Sequence, residues 1–175
     1  MLVGCAGVTP HERTAVYNPA ELVPYSRPGT GRIVGQAFLK NVSGDVKYAA
    51  GNTIWLHPVT SLTTGWFTEH VVHGVPLVLG NPHTDDYSRQ TVADAEGRFE
   101  FGALPPGDYY LTCLITWGVP TDIGVLPTGS IAYAKVAVRN GETVKAKAQN
   151  RGIGRRGAKS RFLFDEHYQV SVCNW

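Results

Sequence analysis

The chain has 175 residues, with 16 Lys and Arg against 14 Asp and Glu, a formal net charge of +2, 43% hydrophobic residues and 17% charged ones. That length and composition exclude a disordered chain and allow one domain with a real core, and so small a charge gives no footing for nucleic acid as a partner. Twenty Gly and eleven Pro predict many turns, a single Met and the lack of helical periodicity argue against a helix bundle, and no stretch approaches the ~20 apolar residues of a membrane-spanning helix.

The N-terminus reads "MLVGCAG". Leu2-Val3-Gly4-Cys5 resembles a bacterial lipobox, the site at which a lipoprotein signal peptide is cut before its cysteine. The resemblance implies that Cys5 carries a diacylglyceryl group on sulfur and a third acyl chain, such as palmitate, on its amine, and that residues 1–5 are the remnant of the signal and the lipidation site. The basic and apolar regions of such a signal are not among the four residues before Cys5, which implies a start upstream of Met1 or a shortened chain. Ala6 in place of Asp after the cysteine implies the outer membrane by the sorting rule of many Gram-negative bacteria. Three acyl chains hold firmly, at about 0.8 kcal/mol per buried methylene.

Residues 6–30 read as a flexible tether, broken by Pro10, Pro19, Pro24 and Pro28 and ending in "SRPGTG". The domain is expected over 31–149. Its predicted strands are 32–40, 52–59 (Ile54 and Leu56 on one face, Trp55 and His57 on the other), 87–93, 98–101 and the apolar run 108–117. A hairpin follows over 131–149, turning at Asn140-Gly141, a dipeptide suited to a type I′ turn. Short strands at regular spacing, without βαβ alternation, predict an all-β sandwich of about seven strands. Residues 60–86 break the rhythm as a long insertion, with a short helix expected near 66–73. Residues 150–175 read as a basic linker, "NRGIGRRGAKSR", followed by an edge strand. The linker is a solvated segment or a patch for anions.

"ADAEGRFEFGALPPGDYYL" resembles the signature of the carboxypeptidase regulatory-like domain, a transthyretin-like (prealbumin-like) β-sandwich. The positions that carry the resemblance are Asp94, Gly97, Phe99, Phe101, Leu104, Gly107 and Tyr109. It covers about 31–148 and implies an Asp-Gly turn, an aromatic strand packed into the core and a Tyr at the next corner. These domains are mostly accessory modules without chemistry. The residues agree: Gly97 and Gly107 suit tight bends, Phe99 and Phe101 share one strand face, and the Tyr109 hydroxyl can tie to backbone as in a tyrosine corner.

Two enzyme families of similar fold lose their chemistry here. Intradiol dioxygenases bind ferric iron with a His-x-His downstream of a similar hairpin, whereas no histidine lies between His83 and His167. Hydroxyisourate hydrolase ends in Tyr-Arg-Gly-Ser, whereas this chain ends "VSVCNW". A metal reading rests on His70, His73, His83 and Asp85 (with Asp86 beside it), which offer a ligand set to zinc or another divalent ion. The bland alternative is loop histidines in solvent. With Cys5 assigned to lipid, Cys113 and Cys173 are left as an even pair in an oxidising compartment and form the expected disulfide, the alternative being a buried free thiol at Cys113.

The sequence thus points to a non-catalytic β-sandwich lipoprotein without cofactor. It is expected at the cell envelope, facing the periplasm or exterior, anchored to the membrane by lipid and holding an envelope protein or a glycan. A metal-binding protein using the 60–86 insertion is the second reading.

Overall fold

In the computed structural model the described residues are 15–40, 44–75, 85–122, 124–150, 161–164 and 170–173. Among them the backbone is mostly strand: β1 (Gly31–Lys40), β2 (Val46–Tyr48), β3 (Thr53–Pro58), β4 (Arg89–Val92), β5 (Arg98–Leu104), β6 (Gly107–Thr121), β7 (Gly124–Val138), β8 (Thr143–Asn150), β9 (Arg161–Phe164) and β10 (Val170–Cys173). The first eight form one sheet in the order β2-β1-β8-β7-β6-β3-β4, with β5 paired to the first half of β1. β4 and β5 are neighbours in sequence yet sit at opposite ends of this ladder, joined by the turn at Asp94–Gly97. The sheet must therefore curl until its ends meet, and the outcome is an all-β sandwich-like fold.

Alternation along the strands supplies the core. Ile33, Ala37 and Leu39 of β1, Phe99 and Phe101 of β5 and Ala146 and Ala148 of β8 face Ile54 and Leu56 of β3, Leu111, Cys113 and Ile115 of β6 and Ala132, Val136 and Val138 of β7. The turn between β4 and β5 is built by side chain and backbone together. The Asp94 carboxylate accepts from the amides of Glu96 and Arg98 at 3.0 and 2.7 Å. Gly97 has φ +73°, and a Cβ there would sit 2.5 Å from the Ala37 carbonyl oxygen. At the next corner the buried Tyr109 donates its hydroxyl to the Pro105 carbonyl at 2.8 Å. A bulge lies between them: Gly31 pairs with Leu104 but Ile33 with Phe101, and Ala103 takes φ +53°. The Arg89 guanidinium donates to the carbonyls of Gly102 and Ala103, stitching β4 to the bulge.

The N-terminal boundary needs correction, because residues 19–26 are docked structure and not flexible tether. They form a 3-10 helix, Pro19–Ser26, capped by Asn18, whose side chain accepts from the Ala20 amide at 3.1 Å. Leu22 is buried, Tyr25 donates to the Asp108 carbonyl at 2.9 Å, and its ring meets Tyr109 edge-on at 5.3 Å. The Glu21 carboxylate accepts from the amide and hydroxyl of Ser61. Gly107 makes room for this clasp, since a Cβ there would lie 2.6 Å from the Tyr25 ring. Prolines read as breakers, yet Pro at the first helical position starts a helix well, and residues three apart on a 3-10 turn share one side. Other elements also differ. β2 was not expected. β6 and β7 run on as a paired ribbon past Trp117, with Gly118 opposite Pro127 and Pro120 opposite Val125. The C-terminal strand is not an edge strand of the sandwich: β9 and β10 pair with each other in a separate two-stranded sheet. Cys5 and the basic stretch 151–160 lie outside the described residues.

Candidate functional site

The outward face of β3, β4, β6 and β7 is richer in aromatic side chains than a solvated sheet face needs to be. Its organiser is the described part of the insertion. Helix α1 (Ser61–Trp66) starts at a Thr60 cap, where the Thr60 hydroxyl accepts from the Thr63 amide and the Thr63 hydroxyl accepts from the Thr60 amide. It continues as a π-helical turn, Phe67–Val72. The expected helix near 66–73 is thus longer and begins earlier. Phe67 stacks on Tyr110 of β6 with centroids 4.0 Å apart and meets Tyr133 of β7 edge-on at 5.5 Å. With Val71 they make a second apolar cluster outside the sandwich core. The Tyr110 hydroxyl is 3.2 Å from that of Thr64, and the Lys135 ammonium lies 6.0 Å over the Tyr110 ring while pairing with Asp108 at 3.1 Å.

Beside this lid the face is open. Trp55 of β3 is 40% exposed. Its ring runs nearly parallel to that of His57, at 6.1 Å and 9°. The Trp66 ring meets His57 at 5.0 Å and 66°, and Trp66 lies 6.2 Å from His70 at 23°. Four rings, Trp-His-Trp-His, therefore run from the exposed sheet face to beneath the lid. His57 Nδ1 is 2.8 Å from the Ser88 hydroxyl, which fixes the imidazole plane. Trp55 stands opposite Thr112 on β6 and Gln90 on β4, and Thr53 lies two residues away on the same strand face. Thr112 is buried and Gln90 is exposed. The nearest sheet positions around Trp55 are thus Thr53, His57, Gln90 and Thr112, with Val92 on the diagonal, and none of these is an acid, Lys or Arg.

The sequence-predicted ligand set does not converge among the described residues. His70 is buried with Nδ1 3.1 Å from the Val75 carbonyl oxygen. His73 is exposed and 3.8 Å from Glu69. Asp85 is exposed at the turn before β4, and His83 lies outside the described residues. Among those residues no group of three His, Cys, Asp or Glu side chains is gathered to hold a metal ion. Cys113 is a free, fully buried thiol, and burial pushes it up to about 12. The Cys173 side chain lies outside the described residues. Burial likewise pushes Tyr109 up to about 12, with Tyr25 beside it adding to the shift.

A shallow concavity of about 1180 Å³ adjoins the Trp55 face at Thr91 and Val92 of β4 and is lined further by Val34, Gln36, Arg98, Glu100, Lys145 and Lys147. Two of its charges are paired on the surface, Glu100 with Arg32 at 2.6 Å and Arg98 with Glu96 at 3.2 Å, and it holds no exposed ring. The weight given to histidines in the sequence passed over the tryptophan beside them. The signal was present in "NTIWLHPV", where Ile54 and Leu56 claim the core and so turn Trp55 outward.

No family model matches the chain, and no curated protein matches it. Among solved structures it resembles a "putative carbohydrate binding protein" from Pseudomonas aeruginosa, with TM-score 0.66 and 23% identity over 77% of this chain and 97% of that one. A minor pilin of Streptococcus agalactiae aligns at TM-score 0.39 and 17% identity, over 77% of this chain and 49% of the pilin. At 23% identity the likeness to the Pseudomonas chain is one of fold.

Proposed function

We propose that the protein is a non-catalytic binding module of the cell envelope, held at the outer membrane by lipid on Cys5 and binding an envelope protein or glycan through the face around Trp55. The observation that carries this reading is an exposed tryptophan held in a ladder of rings by a dedicated helical lid, with Thr53, Gln90 and Thr112 at the sheet positions next to it. Large exposed aromatics on an ordered face favour binding, because their area is removed from water at little cost in side-chain entropy. The Ser88 hydroxyl and His57 Nδ1, 2.8 Å apart on this face, serve in this reading to fix the imidazole plane and not as a nucleophile and its base. The carbohydrate-binding description of the similarly folded Pseudomonas chain is compatible with this reading. The carboxypeptidase regulatory-like signature supports it too, since such modules are mostly accessory. The N-terminal clasp fits an anchored protein, for it fixes the sandwich to residue 18 and leaves a short lead towards Cys5. The test is expression behind a lipoprotein signal sequence. The wild type enters the detergent phase and Cys5→Ser stays in the aqueous phase; equal partition of both forms would overturn the anchor.

A further inference from the structure

We infer that the ligand at Trp55 is a neutral glycan, with one pyranose ring stacked on the indole and its hydroxyls met by Gln90 and Thr53; this rests on the reading of that face as a binding surface. The negative π-face of an indole attracts the positively polarised C–H face of a sugar ring, and the ring edge leaves the sugar hydroxyls free to bond around it. The positions around Trp55 supply those bonds with amide, hydroxyl and imidazole groups. Charge argues against other occupants. The basic side chain nearest in sequence on β4, Arg89, is committed to the carbonyls of Gly102 and Ala103, and Lys135 is paired with Asp108. A phosphate or carboxylate ligand therefore meets no cation beside Trp55, and a cationic peptide meets no acid. Area argues against a folded protein. Among the described residues, Trp55 and Val92 are the most exposed large apolar side chains on this face, at 40% and 64%. Two such side chains make a small apolar centre for a stable protein interface. They suffice for one or two sugar rings. The stacked His57 ring backs the indole on one side, so the sugar takes the other, and Trp66 packs against His57 in turn.

Affinity electrophoresis of the full chain tests this, in native gels cast with galactomannan, hydroxyethyl cellulose or glycogen, and with alginate as an acidic control. The expected result is retardation by at least one neutral polysaccharide, weakened at least tenfold by Trp55→Ala, several-fold by Gln90→Ala and only partly by Trp55→Phe. Lys40→Ala, at the exposed end of β1, leaves it unchanged. Circular dichroism and thermal unfolding of each variant separate lost binding from lost fold, and Trp55→Phe keeps the test valid if the alanine variant does not fold. Retardation by no neutral polysaccharide, by alginate alone, or equally for wild type and Trp55→Ala would overturn the inference. A photo-crosslinker at position 90, used in the native envelope, separates the two levels. A protein adduct with no neutral retardation sinks the glycan and leaves the binding module standing. Neither adduct nor retardation sinks both.

Discussion

At the scale of single residues, the sandwich depends on side chains whose alternatives are physically narrow. Phe99 and Phe101 lie edge to face at 6.0 Å, each nearly buried. Truncating either leaves a cavity that the two layers cannot close, so Phe99→Ala or Phe101→Ala is expected to cost roughly 3–5 kcal/mol in chemical denaturation. A loss under about 1 kcal/mol would mean that these rings do not hold the layers together. Tyr25→Phe removes one hydroxyl bond to the Asp108 carbonyl and is expected to cost about 1 kcal/mol. Glu21 gives a pH signature. The hydrogen bonds from Ser61 hold its carboxyl below the ordinary value of 4.5. Its contribution is therefore fully present above pH 4.5 and is lost as the pH falls from there through the lowered folded-state value. The gap in urea midpoint between wild type and Glu21→Gln should shrink as the pH is taken from 6 to 3. A constant gap would show that the charge does not matter. Cys113, with its thiol at about 12 and no exposure, should resist a thiol reagent in the native protein and react on unfolding. A native protein whose Cys113 reacts as fast as the unfolded chain would place that strand outside the core.

Elements show where the sequence was legible and where it was not. Strands β1, β3, β4, β5 and β8 could be read from alternation, because a strand with one face in the core and one in water writes a period of two into its side chains. Asp94, Gly97 and Tyr109 could be read because a tight turn and a corner admit few residue types. The 3-10 helix could not be. It is eight residues long with one buried Leu, and its docking depends on Gly107 and Asp108, far along the chain. The outer ribbon of β6 and β7 was hidden for another reason: two paired strands tolerate Pro and Gly that a central strand would reject. Half of the candidate face was visible, since "IWLH" puts Trp55 and His57 opposite the core. Gln90 and Thr112 become its neighbours only through the register of β3 with β4 and β6, which no local pattern encodes. The lid has a test of its own. Phe67→Ala removes the ring that stacks on Tyr110, and hydrogen exchange in 61–72 should rise while the amides of β6 stay protected. Equal loosening of both would mean that lid and sandwich are one cooperative unit.

At the scale of the whole molecule, the parts divide the work. The curled sheet buries its core between two layers, the N-terminal 3-10 helix clasps the corner at Gly107, and the lid braces an aromatic ladder on the outer face of the other layer. Chain length is spent on holding one exposed tryptophan in a ladder of rings, with Thr53, Gln90 and Thr112 at the sheet positions next to it. That arrangement is what a module needs if it is to hold a ligand at the envelope without altering it. Hydroxyl-radical footprinting tests this most directly, comparing the purified protein with the lipidated protein in its native envelope and reading oxidation at Trp55, Tyr48 and Val125. All three are exposed in the isolated chain, at 40%, 47% and 70%. The account predicts that Trp55 is protected in the envelope while Tyr48 and Val125 are oxidised as before. Unchanged oxidation of Trp55, with protection appearing at Tyr48 or Val125 instead, would place the binding surface elsewhere and contradict it.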